Sequence, residues 1–205
     1  MHPKSTLLAL VPAVALCAAT TPLTGKALVS ALAQGGYVIL MRHASSPGLR
    51  PDLAQADPAN LKYERQLDDS GRASAKTMGI AFQQLQIPVG KVLSSPTYRA
   101  LETARLARFP TPQVLDELRE AGNNMRPDAS DAAGAWLRSQ VAQAPKPGTN
   151  TVIITHYPNI AEAFPNDAKD LSEGEALIYR SDKHGSAVLV GRVKITEWSG
   201  LVSTP

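Results

Sequence analysis

The apolar residues of the chain are concentrated in short runs that predict the strands of a sheet. Residues 37–41 (YVILM) and the segment TVIITH at 151–156 are dominated by apolar side chains, as is typical of strands buried on both faces. KVLSSP at 91–96 predicts a short strand that runs into a turn. PQVLDEL at 112–118 predicts a further short strand or extended segment, and residues 175–193 predict a β-hairpin.

Segments with helical spacing lie between these runs. Residues 26–36 predict a short amphipathic helix that ends at a glycine, and residues 68–86 predict a longer helix capped by Ser70. Residues 96–109 predict a helix with proline at its first position, and residues 131–144 predict another. The apolar stripe of the 68–86 helix is expected to consist of Ala73, Met78, Ala81, Phe82 and Leu85.

Strands separated by helices predict an α/β fold. We expect a three-layer sandwich, with a mostly parallel central sheet, helices on both faces and an antiparallel hairpin at one edge. The length of 205 residues favours one domain, and 43% hydrophobic residues suffice for a real core. The net charge of +3 is dispersed and contains no Lys/Arg run, so no nucleic-acid partner is expected.

The N-terminal segment has the layout of a secretory signal peptide. Lys4 precedes an apolar stretch at residues 7–19, and small residues follow it. We therefore expect a signal peptide at residues 1–24, a single domain at 25–205, and a periplasmic or secreted protein. A buried N-terminal helix is the alternative interpretation.

The apolar stretch is short for a transmembrane helix, and Pro12 interrupts it, so no stable membrane insertion is expected after processing. Cleavage is expected near Ala19 rather than after Ala33, because the helix predicted at 26–36 would belong to the folded domain. The only cysteine, Cys17, lies within the leader, so the mature chain would have no disulfide, thiol nucleophile or thiolate metal site.

Polar side chains with candidate chemistry follow three of the predicted strands. Arg42 and His43 come directly after residue 41, and His156 ends the TVIITH segment. Arg99 lies in the first turn of the helix that follows KVLSSP. Ligands of open α/β sheets bind beyond the carboxyl ends of the strands, so we expect these four residues to converge.

Two guanidinium groups and two imidazoles suit a compact dianion such as phosphate. Arginine donates paired hydrogen bonds to phosphate oxygens, and a neutral imidazole is a nucleophile when its other nitrogen is held. The alternative is that the four residues are unrelated, because a lone histidine at a strand end is more often structural. No HExxH motif, His/Asp ligand spacing or cysteine pair indicates a metal site.

Three motifs in this order resemble the histidine phosphatase superfamily, which includes the phosphoglycerate mutases. They are Arg42-His43-Ala44 after an apolar strand, SSPTYRALETA at 94–104, and ITHYPNI at 154–160. The resemblance extends over most of residues 36–198. GGYVILMRHA, RQLDDSGRASA and GEALIYR are similar to a bacterial branch of stand-alone phosphatase-like proteins. The family usually has glycine where Ala44 stands.

The resemblance implies a mechanism. His43 would attack the phosphorus and become phosphohistidine, while Arg42, Arg99 and His156 would hold the phosphoryl oxygens. Water would then release phosphate, with no metal and no cofactor. The expected function is an exported phosphomonoesterase that acts on a small phosphorylated substrate or an envelope glycolipid phosphate. The alternative is a catalytically silent phosphate- or anion-binding protein of the same fold.

The resemblance also implies a glutamate that protonates the leaving group. The Leu-x-Glu pattern that ends at Glu120 fits this role, and Glu117 overlaps it. Acids of the long loop before the 68–86 helix (Asp52, Asp57 or Glu64) remain open, as does a leaving group that needs little protonation.

Two further pairs of residues have candidate roles. Arg50 and Arg65 flank the same loop and could contact substrate, although a solvated role is expected for them. Ser94 and Ser95 lack a surrounding Gly-x-Ser-x-Gly elbow, which argues against a serine hydrolase.

Overall fold

A computed structural model of the chain describes residues 22–46, 64–120, 127–182 and 185–202, with backbone alone at 127–130. The predictions that fall outside the described residues concern the signal peptide up to residue 21, Arg50, Asp52 and Asp57.

The described strands form one mixed sheet in the order β3-β2-β4-β1-β5-β6. Its strands are β1 (Tyr37–Arg42), β2 (Val89–Ser94), β3 (Gln113–Val114), β4 (Asn150–Thr155), β5 (Ala176–Ser181) and β6 (Ala187–Val193). The first four run parallel to their neighbours among themselves, whereas β5 pairs antiparallel with both β1 and β6. The prediction of a mostly parallel sheet with an antiparallel hairpin at one edge is confirmed.

Six described helices cover the sheet. They are α1 (Gly25–Gln34), α2 (Asp69–Gln84), α3 (Tyr98–Leu106), α4 (Pro127–Ala142), α5 (Tyr157–Ala163) and α6 (Trp198–Val202). Helices α5 and α6 were not predicted, because seven and five residues are too few to show a helical period. The segment predicted at 112–118 is mostly not a strand: β3 is two residues long, and a 3₁₀ turn follows at Asp116–Leu118.

The central strands are apolar throughout because both faces of the sheet are covered. Along β1, Ile39 and Met41 pack into one core with residues of α1, α2, α3 and α6, whereas Val38 and Leu40 pack into a second core with residues of α4 and α5. The same alternation continues along β4. Helices on both faces confirm the predicted three-layer arrangement.

The start of α2 differs from the prediction. Asp68, rather than Ser70, is the N-cap, and its Oδ1 accepts a hydrogen bond of 2.6 Å from the Gly71 N–H. Ala75 is buried, whereas Ala73 is exposed. Ala75 lies three residues before Met78 and therefore shares its face of the helix. Ala73 lies five residues before Met78 and is on a different face.

The start of α3 also differs from the prediction. The helix begins at Tyr98, two residues later than the proline at position 96, because Thr97 keeps an extended backbone as the N-cap. The chain between β2 and α3 is therefore a short, fully buried turn.

The turn after β1 is held tightly between α2 and α3. A Cβ at Gly71 would lie 2.1 Å from the Ser45 carbonyl oxygen, so this contact requires glycine. The Ser45 hydroxyl donates to Asp68 at 2.7 Å, and the Ala44 N–H donates to the Thr103 hydroxyl at 3.1 Å. His43, which precedes Ala44, is thereby fixed in place.

The helix predicted at 26–36 exists as α1 and belongs to the domain. It ends before Gly35, whose φ of 79° lies in the left-handed region. Leu28 and Leu32 are buried in the core, and the Leu23 N–H donates to the Val190 carbonyl oxygen of β6 at 2.6 Å. No described helix is both long enough and apolar enough to cross a membrane.

Candidate active site

The sheet places two histidines side by side. The parallel register of β1 and β4 pairs Arg42 with Thr155, so the residues that follow, His43 and His156, are neighbours. The His43 N–H extends the pairing with a 3.0 Å hydrogen bond to the Thr155 carbonyl oxygen. The two imidazole centroids are 5.3 Å apart, and both side chains are almost completely buried.

Arg99 joins the two rings. Strand β2 lies beside β4, and the Ser95 N–H continues their pairing with a 3.0 Å bond to the Ile154 carbonyl oxygen, which brings the start of α3 to the same edge. Arg99 is fully buried. Its Nε donates to His43 Nε2 at 3.1 Å, and its terminal NH2 group lies 3.1 Å from His156 Nδ1.

These contacts determine which ring nitrogens carry hydrogen. Because arginine only donates, His43 Nε2 and His156 Nδ1 are both acceptors. The other nitrogen of His43, Nδ1, lies 2.8 Å from the Ala44 carbonyl oxygen and donates to it. His43 therefore presents an Nε2 lone pair to the arginine, which is the form of imidazole that acts as a nucleophile.

Both imidazoles are neutral at neutral pH. Burial, followed by the positive charge of Arg99, lowers the pKa of His43 from 6.5 to about 3. The same two causes, in the same order, hold the pKa of His156 well below its usual range. A neutral His43 is required if its Nε2 is to attack an electrophile.

Arg42 lies beside the histidines at the end of β1. Its charge contributes to the lowered pKa of both His43 and His156. Its terminal NH2 group forms a 2.9 Å ion pair with Glu173, and its Nε is buried without a hydrogen-bond partner among the described residues. Arg42 thus brings an additional donor to the site.

Glu120 reaches the same cluster. Its Oε2 accepts a 2.6 Å hydrogen bond from the NH2 group of Arg99, and about a third of its side chain is exposed. The competing candidate Glu117 lies exposed in the 3₁₀ turn. Of these two, Glu120 is the one that contacts the histidine–arginine cluster.

Two hydrogen bonds to the backbone place Glu120 there. The Thr155 hydroxyl donates to the Leu118 carbonyl oxygen at 2.8 Å, and the Asn159 side chain donates to the Arg119 carbonyl oxygen at 2.7 Å. Thr155 ends β4 and Asn159 lies on α5, so both belong to the ITHYPNI motif. Asn159 thereby helps to position Glu120, a role that was not predicted from the sequence.

The loop residues Glu64 and Arg65 also approach the site. The NH2 group of Arg65 lies 3.5 Å from His43 Nε2, and its Nε donates to the Ser46 hydroxyl at 3.1 Å. Glu64 is buried, and its carboxylate accepts the N–H of Tyr98 at the start of α3. The expectation of a solvated role for Arg65 is wrong, because its guanidinium is in the site and half-buried.

The arrangement suits an oxyanion. Three guanidinium groups, from Arg42, Arg65 and Arg99, surround the neutral ring of His43, and guanidinium donors match phosphoryl oxygens. Among the described residues, no group of three or more His, Cys, Asp or Glu side chains could hold a metal ion.

Known proteins share this fold and its sequence pattern. The sequence matches the family model of the histidine phosphatase superfamily (branch 1) over residues 38–156, which is more than half of the chain. The match begins in β1 and ends at His156. The chain therefore belongs to the histidine phosphatase superfamily, as the motifs predicted.

Two solved structures illustrate the shared fold. The protein histidine phosphatase SixA, in complex with tungstate, has a TM-score of 0.57 and 18% identity, over 78% of this chain and 98% of SixA. A mutant phosphoserine phosphatase from Entamoeba histolytica, in complex with phosphoserine, has a TM-score of 0.56 and 14% identity, over 78% of this chain and 97% of that protein. Among curated proteins, none matches the sequence significantly.

The neutral state of the two histidines predicts an acid-sensitive fold. In the unfolded chain each imidazole titrates near 6.5, whereas the folded pKa of His43 is about 3 and that of His156 is also lowered. Below pH 6.5 the unfolded chain therefore binds more protons than the folded protein. The contribution of the two neutral histidines to the free energy of unfolding is fully present above pH 6.5 and decreases as the pH falls. At pH 5, we expect His43 to reduce the free energy of unfolding by about 2 kcal/mol, and His156 to act in the same direction.

Denaturant unfolding at pH 7.5 and pH 5 measures this loss, and histidine NMR titration identifies its source. The ring resonances of His43 and His156 should not titrate between pH 8 and pH 5. A midpoint near 6.5 for either ring would contradict the prediction.

Proposed function

We propose that this protein is an exported phosphomonoesterase that works through a phosphohistidine at His43. The observation that carries the proposal is the state of that ring. Its Nδ1 hydrogen is held by the Ala44 carbonyl, and its Nε2 lone pair faces the guanidinium groups of Arg99 and Arg65. A nucleophile is thereby aimed at the place where the arginines would bind a phosphoryl group.

The first half of the reaction transfers the phosphoryl group. His43 Nε2 forms a bond to phosphorus, the bond between phosphorus and the ester oxygen breaks, and Glu120 gives a proton to the departing alcohol. Arg42, Arg99 and His156 stabilise the charge on the phosphoryl oxygens, together with Arg65.

The second half restores the enzyme. Water attacks phosphorus while the Glu120 carboxylate takes its proton, the bond to Nε2 breaks, and phosphate leaves. Because the arginines supply the positive charge, the proposal includes activity without a metal ion or cofactor.

Two structural neighbours support an oxyanion or phosphate ester as the ligand, by analogy of fold alone. SixA carries tungstate, and the phosphoserine phosphatase carries phosphoserine. A silent anion-binding protein is the second candidate, because Glu120 pairs with the very guanidinium that would bind phosphate. The tautomer of His43 favours the enzyme, since binding alone does not need a lone pair directed at the anion.

Covalent trapping tests the nucleophile. Rapid quench with a labelled phosphomonoester, with and without EDTA, should place the label on the peptide that contains His43, as an acid-labile and alkali-stable adduct. His43→Ala should abolish both the label and turnover. Arg99→Ala should reduce turnover by about 10²–10³-fold, because one preorganised donor to the phosphoryl group is lost.

Arg105→Ala is the matched control, because Arg105 lies on the same helix, is exposed, and pairs with Glu102 rather than with the histidines. It should leave turnover unchanged. Near-normal turnover by His43→Ala would refute the phosphohistidine mechanism. Absence of turnover by the wild-type protein would favour the silent anion-binding protein. Loss of activity in EDTA that added Zn²⁺ or Mg²⁺ restores would refute metal independence.

The role of Glu120 is tested by the choice of leaving group. Glu120→Gln should slow hydrolysis of an alkyl phosphate by about 10²–10⁴-fold, because an alkoxide needs a proton as it departs. Hydrolysis of p-nitrophenyl phosphate should change far less, because p-nitrophenolate is a good leaving group. Steady-state kinetics on both substrates measures the difference.

Asp116→Asn, which removes an exposed carboxylate from the preceding 3₁₀ turn, is the control. Equal and small effects of Glu120→Gln on the two substrates would exclude Glu120 as the acid. The same leaving-group dependence in Glu64→Gln would then assign the acid to Glu64.

The proposal places the enzyme outside the cytoplasm, with a small phosphorylated molecule or an envelope glycolipid phosphate as substrate. The bond from Leu23 to β6 and the burial of Leu28 and Leu32 favour cleavage before residue 23, earlier than the boundary after residue 24 expected from the sequence. Mass measurement of the protein recovered from the periplasm or medium should show the loss of about 20 residues. An unprocessed cytosolic chain would contradict export, and cleavage after Ala33 would contradict the assignment of α1 to the mature domain.

A further inference from the structure

Two buried hydroxyl groups lie behind the ring of His156. Its Nε2 is 2.9 Å from the Ser95 hydroxyl oxygen and 3.3 Å from that of Thr97. Ser95 is 0% exposed and Thr97 is 1% exposed. The Ser95 hydroxyl also donates to the Thr97 hydroxyl at 3.3 Å. Ser95 lacks the motif of a serine nucleophile, and its hydroxyl instead contacts the ring of His156.

The hydrogen atoms of this group can be assigned from donor and acceptor chemistry. Arg99 has only donors, so His156 Nδ1 accepts from it, and the neutral ring carries its hydrogen on Nε2. That hydrogen is donated to the Ser95 oxygen, and Ser95 passes its own hydrogen to Thr97. In the unliganded site, the chain of hydrogen bonds therefore runs from Arg99 to Thr97.

We propose that Ser95, with Thr97 behind it, is a positioning residue that sets the tautomer of His156 and lets it reverse when a phosphoryl group binds. The proposal rests on the proposed function, because it explains how His156 changes from an acceptor toward Arg99 to a donor toward a phosphoryl oxygen.

The chemistry of the group behind each ring distinguishes the two histidines. The Ala44 carbonyl behind His43 can only accept, so His43 keeps its hydrogen on Nδ1 and its lone pair on Nε2. The Ser95 hydroxyl behind His156 can accept or donate. Only His156 therefore has a partner that remains satisfied when the ring changes its tautomer.

The proposed change balances without a net gain of protons. When Arg99 turns its NH2 donor to a phosphoryl oxygen, His156 Nδ1 takes a proton from solvent water and Nε2 returns one to solvent water, so water carries the proton between the two nitrogens. Nδ1–H then donates to the phosphoryl group, and the Ser95 hydroxyl rotates to donate to Nε2. The ring is neutral in both states, which agrees with its lowered pKa.

Nitrogen NMR of histidine-labelled protein tests this directly, because couplings between ring nitrogens and carbon-bound hydrogens distinguish the two tautomers. In the free protein, His156 should be the Nε2–H form and His43 the Nδ1–H form. Saturating inorganic phosphate should convert His156 to the Nδ1–H form and leave His43 unchanged. An Nδ1–H form of His156 in the free protein, an unchanged tautomer with phosphate, or an imidazolium with phosphate would each overturn the proposal.

Kinetics of matched variants provide a second test. Ser95→Ala should lower kcat/KM for a small phosphomonoester by about 10–100-fold, as is typical when the partner that orients a functional imidazole is lost. It should also give a mixture of His156 tautomers in the free protein. Thr97→Val, which removes a hydroxyl at nearly constant volume, should have a smaller effect, and Thr97→Ser should restore the wild-type value.

Ser94→Ala is the control, because Ser94 is equally buried but its hydroxyl donates to the Ser95 carbonyl oxygen at 3.0 Å. It should leave both kcat/KM and the His156 tautomer unchanged. Wild-type kinetics together with a wild-type tautomer in folded Ser95→Ala would overturn the proposal. If Ser95→Ala does not fold, the Thr97 pair and the wild-type spectra decide.

The two proposals fail in different ways. A wild-type protein without phosphatase activity whose His156 changes tautomer on phosphate binding would refute the proposed function and support the role of Ser95. An active wild-type protein in which the His156 tautomer depends neither on phosphate nor on Ser95 would support the proposed function and refute the role of Ser95.

Discussion

The buried guanidinium of Arg99 is the group on which the whole site depends. Burial of a charge is costly unless partners compensate it, and the partners of Arg99 include the two imidazoles and the Glu120 carboxylate. Its fixed direction of donation also determines the tautomer of both rings. The charge of this one side chain thus adds to burial in keeping both imidazoles neutral, and its donors fix which nitrogen of each ring accepts.

The sheet makes this arrangement possible with little adjustment. Strands β1, β4 and β2 are adjacent and parallel, so His43, His156 and the start of α3 reach the same edge without long connections. Each strand is anchored by apolar residues on both faces, which keeps its end rigid. In the proposed reaction, the groups that change their hydrogen bonds are side chains at these strand ends, such as Glu120 and Ser95.

Much of the fold and the centre of the site could be predicted because both depend on local patterns. The apolar runs of β1 and β4 identify buried strands, and the polar residues directly after them must lie at the ends of those strands. Features set by contacts between distant segments could not be predicted in the same way. Arg65 contacts both Ser46 and His43, and the spacing of these residues in the sequence predicts neither contact.

The same limit explains the smaller errors. Asp68 and Ser70 are equally good capping residues by type, and the choice of Asp68 depends on where the backbone turns toward Ser45. The helix α5 is short, and its polar face is used for contact with the Arg119 carbonyl oxygen. The hydrogen bond between Ser95 and His156 joins residues 61 positions apart, although both belong to motifs that the sequence made visible.

The pairing of Leu23 with Val190 has a consequence for the behaviour of the protein in solution. Strand β6 is an outer strand of the sheet, and the unpaired backbone groups of such a strand can add a strand from another molecule. The residues before α1 lie across this edge, where the Leu23 carbonyl oxygen is 3.0 Å from the position of a Cβ on Gly191. The residues that precede the first helix thus cover this edge at Val190 and Gly191, and a chain shortened past Leu23 would expose it there.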